Sequence, residues 1–313
     1  MTRNWRHIFK NALPLLLVLT AFCSTAQEDR LNRAQQLYRA KNVAEAIPCI
    51  DSVVRDPQTS KDFIAWTNRA YIYFDAYKVK DKQKLNSALR DTIVSSIRMS
   101  NRLQPDSAYA MNNKKLLMNL SANYFNIAKS LLQDSVNAER SAMAYTQFKD
   151  LYKVVEPNAD FSTKDVEYYL AVGSVFSGIA IKDNNDTKSQ NTAKVALLKV
   201  LEIQQDNPAA NINMGLMYYN QAANLSKSLE YGADFSQIDI VQDNMVKLAK
   251  QAEQFIYKVY MNDNKNLKAV EALYYIYRML SENAKSDEFK KKGEELGIKY
   301  SVDENLSNDK KDK

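Results

Sequence analysis

Few residues in this chain are able to carry covalent, metal or acid–base chemistry. Its 313 residues include one histidine, His7, and two cysteines, Cys23 and Cys49. His7 and Cys23 both fall within the first 26 residues, which are built like a leader removed on export. The remainder then holds no histidine and a single thiol. That excludes an intrachain disulfide, a Ser-His or Cys-His relay, and a zinc site of His or paired Cys. Cys49, among Ile47, Ile50 and Val53, reads as a small buried hydrophobe. Asp183, Asn185 and Thr187 alternate as the first ligands of a calcium loop do. Such a loop needs Gly at its sixth place and Glu at its twelfth, where this chain has Lys188 and Lys194, so the stretch reads as a solvated loop. Glu253, Asp239 and Asp243 are the carboxylates to weigh for proton transfer. Amides and lysines flank all three, and nothing marks an apolar pocket that would raise a carboxyl pKa. No Gly-rich phosphate loop is present. The expectation is a protein that binds and does not catalyse, with no metal and no cofactor.

The leader has the three parts of a secretory signal. Arg3, Arg6 and Lys10 give the positive region, Leu13 to Phe22 the apolar region, and Ser24-Thr25-Ala26 the small residues a signal peptidase inspects. Residues 1–26 are therefore expected to leave by cleavage before Gln27. The alternative, a lipoprotein acylated at Cys23, has Phe22 where a small residue is usual. The protein is expected to be exported and periplasmic or outer-membrane-associated. Three of the 43 Lys and Arg lie in the leader, so the rest sets 40 against 37 Asp and Glu, a net charge of about +3. So small a surplus, spread along the chain, gives no basic stripe for nucleic acid.

The elements that must position any binding residue are helices. Only 6 Gly and 6 Pro punctuate the chain, against 45% hydrophobic residues, which favours long helices and short turns. Beyond the helix-breaking Pro48 region, Pro57, Pro105, Pro157 and Pro208 stand 48, 52 and 51 residues apart, each closing one apolar-periodic stretch before the next. Where a fifth is due, Asn262-Asp263-Asn264 supplies a turn. Inside each period a further pattern recurs. Residues 209–222 carry Asn211, Met214, Gly215 and Tyr218, residues 166–180 carry Tyr169, Val172, Gly173 and Phe176, and residues 63–77 carry Trp66, Arg69, Ala70 and Tyr73. Weaker copies run through Ala34 and Leu37, Ala122 and Phe125, and Ala272 and Tyr275. A second set follows as Ala46 and Ile50, Ala144 and Phe148, Ala193 and Leu197, Ala252 and Ile256, with Ile93 and Ile97 as a poorer version.

On these residues the chain resembles the tetratricopeptide (TPR) repeat family, over roughly residues 28–295. The resemblance implies an all-α fold, a right-handed superhelical solenoid of antiparallel helix hairpins with five to six repeats. Its domain is expected over residues 27–300, followed by a disordered charged tail at 301–313. In that family a small residue lets the paired helices approach, and stacking of hairpins makes the core. The standard unit is about 34 residues. Here the surplus lies between the paired helices, at 78–87, 182–190 and 224–243, as long loops or extended helix ends.

The resemblance also places a concave groove on the first helices, holding a partner segment. Counted from the small residue, it is lined by Thr67, Tyr71 and Phe74, by Asn119, Asn123 and Asn126, and by Ile212, Leu216 and Tyr219. The chain has 19 tyrosines, all beyond the leader. Tyrosine offers rigid contact area with a polar tip, and Asn pairs with backbone groups, a combination suited to an extended peptide. The expected function is a cell-envelope interaction module, a scaffold or chaperone-like binder of a peptide or protein partner. The alternative is capture of glycan or peptide nutrients at the outer surface by a lipid-anchored protein.

Overall fold

The computed structural model describes residues 30–82, 84–106, 108–183, 186–227 and 234–300. The leader, the 301–313 tail and Asn185 lie outside the described residues. Twelve helices account for most of what is described, and there is no strand among the described residues. They are α1 (30–39), α2 (Val43–Arg55), α3 (Phe63–Lys80), α4 (Ala88–Leu103), α5 (Ala108–Leu131), α6 (Ala138–Val155), α7 (Ser162–Lys182), α8 (Thr187–Ile203), α9 (Pro208–Lys227), α10 (Phe235–Asn262), α11 (Leu267–Met279) and α12 (Asn283–Glu295). None of the described helices is long and apolar enough to cross a membrane. The chain divides into two compact units, one holding α1–α6 and the other α7–α12.

The prolines fall where the spacing places them. Pro57, Pro105 and Pro157 each sit in the turn after a second helix, and Pro208 opens α9, where its missing N–H has no helical partner to lose. Pro48 departs from the expectation. It lies inside α2 and does not break it. Pro48 and Ala44, whose carbonyl loses a partner, are both exposed, so water satisfies what the proline removes. The surplus length of the middle hairpins goes mostly into helix. α3 runs to Lys80 and α7 to Lys182, with α8 starting at Thr187, and α10 spans 28 residues. Asp186 caps α8, its carboxylate accepting from Ser189 N at 2.9 Å, so this acidic turn serves a helix end.

In each unit, paired helices pack with their small residues inward. A methyl built on Gly173 of α7 would lie 2.5 Å from Leu197 Cδ2 on α8, and one on Gly215 of α9 would overlap Ile256 and come 3.1 Å from Ala252 O on α10. Ala193, Leu197, Ala252 and Ile256, like Ala46, Ile50, Ala70, Ile93 and Ile97, have no exposed surface. The motif residues are thus the contact residues. Successive first helices also touch, α3 with α5, α7 with α9, and α9 with α11. Arg69, where the repeat pattern has an apolar residue, is matched by charge. Its Nε donates to Asp51 Oδ1 at 2.8 Å, its Nη1 to Ser96 Oγ at 2.9 Å, and its guanidinium lies over Tyr73, whose hydroxyl donates to Asp51 Oδ2.

On α5 the register differs from the expectation. Ala122 is exposed, whereas Leu117, Leu120, Ser121 and Tyr124 are all buried. The repeat pattern therefore runs one residue earlier, with Ser121 as the small residue. Either frame offers a small residue followed three places on by an aromatic ring, and the long-range fit of Leu117 and Leu120 decides between them.

Candidate functional site

In the first unit α3 touches α5, and α3 carries Tyr71 and Phe74. Asp62 caps the start of α3 by accepting from Ile64 N at 2.8 Å. Tyr71 is half-buried, its hydroxyl donating to Asn112 O at 3.3 Å, and burial raises its pKa. Phe74 is half-buried, stacked on Tyr77 at 6.4 Å between centroids, with Lys78 Nζ 5.0 Å above its ring. Thr67 is placed elsewhere. It is 3% exposed, and its hydroxyl meets Ser100 Oγ at 2.7 Å, with Asn113 Nδ2 donating to the same Ser100 at 3.1 Å. That chain of hydroxyls and amide ties α3, α4 and α5 together.

The asparagines of α5 divide in the same way. Asn119 and Asn126 are exposed. Asn123 Nδ2 donates to Tyr77 Oη and to Lys82 O, both at 2.8 Å, which fastens the α3–α4 turn onto α5. Tyr124 Oη and Arg90 Nη1 both donate to Leu85 O, at 3.2 and 3.0 Å, and hold the other end of that turn. Arg90 also donates to Gln147 Oε1 of α6 and pairs with Asp91. Burial pushes the Tyr124 hydroxyl up, with Arg90 opposing. By the observed register, Ala122 and Phe125 hold on α5 the places that Tyr71 and Phe74 hold on α3.

In the second unit, Ile212 is 7% exposed and belongs to the core formed with α10 and α11. Leu216 and Tyr219, one and two turns further along α9, are half-buried against that core. Tyr219 on α9 and Tyr275 on α11 both pack against that core. Burial raises the pKa of Tyr219 first, Tyr275 adds to the rise and Arg278 opposes it. Arg278 is exposed, with Nη1 donating to Tyr274 Oη at 3.1 Å. Two half-buried phenols on adjacent first helices thus border one core, with Arg278 exposed one turn beyond Tyr275. Glu253, weighed for acid–base chemistry, accepts from Tyr277 Oη at 2.8 Å and so bonds α10 to α11.

The sequence reading did not single out a trough between α4 and α6, two second helices of the first unit. One stretch of about 410 Å³ is walled by Arg90, Asp91, Val94, Ser95 and Arg98 on α4 and by Gln147, Asp150, Leu151 and Val154 on α6. It shares Val154 with a second stretch of about 440 Å³ that reaches Pro105, Met111 and Lys114. Arg98 and Asp150 are exposed on opposite walls, and Val154 keeps 39% of its surface. A signal for it was present in the spacing of Val94, Arg98 and Asn101, a second stripe on α4 beside the buried Ile93, Ile97 and Ser100.

No family model and no curated protein matches the chain. Among solved structures, it is similar to the crystal structure of PilW, described as a widely conserved type IV pilus biogenesis factor. The two are 14% identical, over 87% of this chain and 99% of that one, with a TM-score of 0.26. At that TM-score the likeness carries no argument about the site.

Proposed function

We propose that the protein is an exported cell-envelope interaction module, a solenoid of five to six tetratricopeptide-like repeats that holds a peptide segment of a partner protein on its first helices and catalyses no reaction. The observation that carries this reading is that Tyr219 and Tyr275, on the touching helices α9 and α11, pack half-buried against one core, with the exposed Arg278 one turn beyond Tyr275. Their backbone is fixed by hairpin packing, so rings and charge are presented on rigid elements, at low entropic cost to a partner. In the first unit, taken by itself, Tyr71 and Phe74 offer half-buried rings on α3, and Asn119 and Asn126 are exposed on α5. Thr67, Asn123 and Ile212 serve as the fixed frame. Export by cleavage before Gln27 supplies the compartment in this reading.

A second reading puts the partner in the α4–α6 trough, favoured by its volume and by Arg98 and Asp150 facing across it. Affinity purification from cross-linked envelopes separates the two. The full chain is compared with three variants: Tyr219→Phe with Arg278→Glu, Asn119→Arg with Asn126→Arg, and Arg98→Glu with Asp150→Lys. All six substitutions spare the core. Loss of an enriched envelope protein with either of the first two variants supports the first-helix face, and loss only with the third moves recognition to the trough. Recovery unchanged by all three refutes both.

A further inference from the structure

In the second unit an incoming first helix packs on both helices of the hairpin before it: α9 on α7 and α8, α11 on α9 and α10. The hairpin α11–α12 receives instead the short segment that follows α12. Gly297, at φ +88°, stands in the left-handed region, and Ile298 N returns to Gly293 O at 2.8 Å. This is the reversal that glycine allows past a helix end. It lays Leu296, Ile298 and Tyr300 against the core of that hairpin. The Tyr300 ring lies 4.5 Å from Tyr274 and 6.3 Å from Tyr275 on α11, and its hydroxyl donates to Phe289 O on α12 at 3.4 Å. Gly293 makes the room: a methyl there would overlap the Tyr300 hydroxyl and lie 2.7 Å from Cζ. Tyr300 thus touches both helices of the hairpin, as an incoming first helix does.

We propose that Leu296–Tyr300 is an end cap standing in for a following first helix, and that the aromatic face beneath it, once uncovered, pairs with the same face of a second copy of this chain. The face suits its own image. Along α11 it runs from Glu271 through Tyr274 and Tyr275 to Arg278, positions that share one side of the helix. Two copies related by a two-fold axis, with their α11 helices antiparallel, set Glu271 of each against Arg278 of the partner copy and ring against ring between them. The cap prevents this by placing Tyr300 over those rings. This inference shares Tyr275 and Arg278 with the binding reading above but rests on packing around α11 and α12, and its test reads self-association of the chain rather than recovery of a partner.

The test uses the full chain and measures mass against concentration by light scattering, with the denaturation midpoint alongside. Tyr300→Ala is expected to move toward twice the parent's mass as concentration rises, and adding Glu271→Arg is expected to reverse that. Gly293→Ala, which favours helix but displaces Tyr300, is expected to lower the midpoint in the parent and to raise it in the Tyr300→Ala background. It also serves as the uncapped variant should Tyr300→Ala lose helix. The parent's mass at every concentration for both uncapped variants overturns the self-association surface, as does a dimer indifferent to Glu271→Arg. A Gly293→Ala protein more stable than its parent overturns the cap.

Discussion

Gly173 and Gly178 stand five residues apart within α7 and are expected to respond to alanine in opposite directions. Replacing glycine by alanine inside a helix stabilises by about 0.5–1 kcal/mol, because glycine loses more backbone freedom on folding. At Gly178, which is exposed, an added methyl meets nothing within 4 Å, so that gain is expected whole. At Gly173 the methyl would lie 2.5 Å from Leu197 Cδ2 and 2.6 Å from Leu197 Cγ. Leu197 has no exposed surface, and its branch point cannot swing aside without moving α8. Overpacking of this kind costs about 1–3 kcal/mol, which leaves a net loss of up to about 2.5 kcal/mol after the helix gain. Urea denaturation followed by helical circular dichroism reads both changes. Thermal midpoints should move apart by several degrees, at roughly 2–4 °C per kcal/mol for a domain of 150–250 residues. In a Leu197→Ala background, Gly173→Ala should turn stabilising, since its methyl then enters vacated space. Equal stabilisation by Gly173→Ala and Gly178→Ala in the parent would refute the close approach of α7 and α8, and with it the role given to the small residue of the repeat.

Asn123→Leu is expected to destabilise by about 1–3 kcal/mol, because Tyr77 Oη and Lys82 O lose their donor, whereas Asn119→Ala and Asn126→Ala should stay within about 0.5 kcal/mol of the parent. Denaturant titration of the three variants distinguishes a frame residue from surface ones. Alkaline stability provides another check. Burial raises the pKa of Tyr38, Tyr77, Tyr124, Tyr219 and Tyr277 above the ordinary 10.0, and that of Tyr300 to about 12. A raised folded pKa gives stability that is complete below the unfolded value and is lost as pH rises through the folded one. Phenolate absorbance should therefore show a group of tyrosines that ionises only together with loss of helix. A single ordinary phase with the helix intact would contradict their burial.

The fold was legible because its signals are local and repeat. Proline marks the turns, and Gly173, Gly215, Ala193 and Ala252 mark the places where helices meet, since only a small side chain fits at closest approach. The register of α5 was not legible. Ser121 and Ala122 are both small, Tyr124 and Phe125 are both aromatic, and a slip of one residue turns a helix by about 100°. Burial of Leu117 and Leu120 settles the frame, and burial depends on neighbours that no local pattern names.

The same limit governs the candidate site. A count along a first helix finds positions that face the neighbouring hairpin, but it cannot tell which of them the fold itself consumes. Thr67 and Asn123 were as plausible as Asn119 and Asn126 on spacing alone. What separates them is a partner far along the chain, Ser100 for one and Lys82 for the other. Tyr219 stays half-buried on α9, where Gly215, four residues before it, packs against Ile256 of α10. Where the small residue marks the helix crossing, the residues one and four places after it, Tyr71 and Phe74 or Leu216 and Tyr219, stay half-buried, whereas the residue three before it, Thr67 or Ile212, is buried. Where the crossing is displaced, as on α5, the counted residues lie beside those positions, and the residues of α9 and α11 are accordingly the stronger ground for a binding surface.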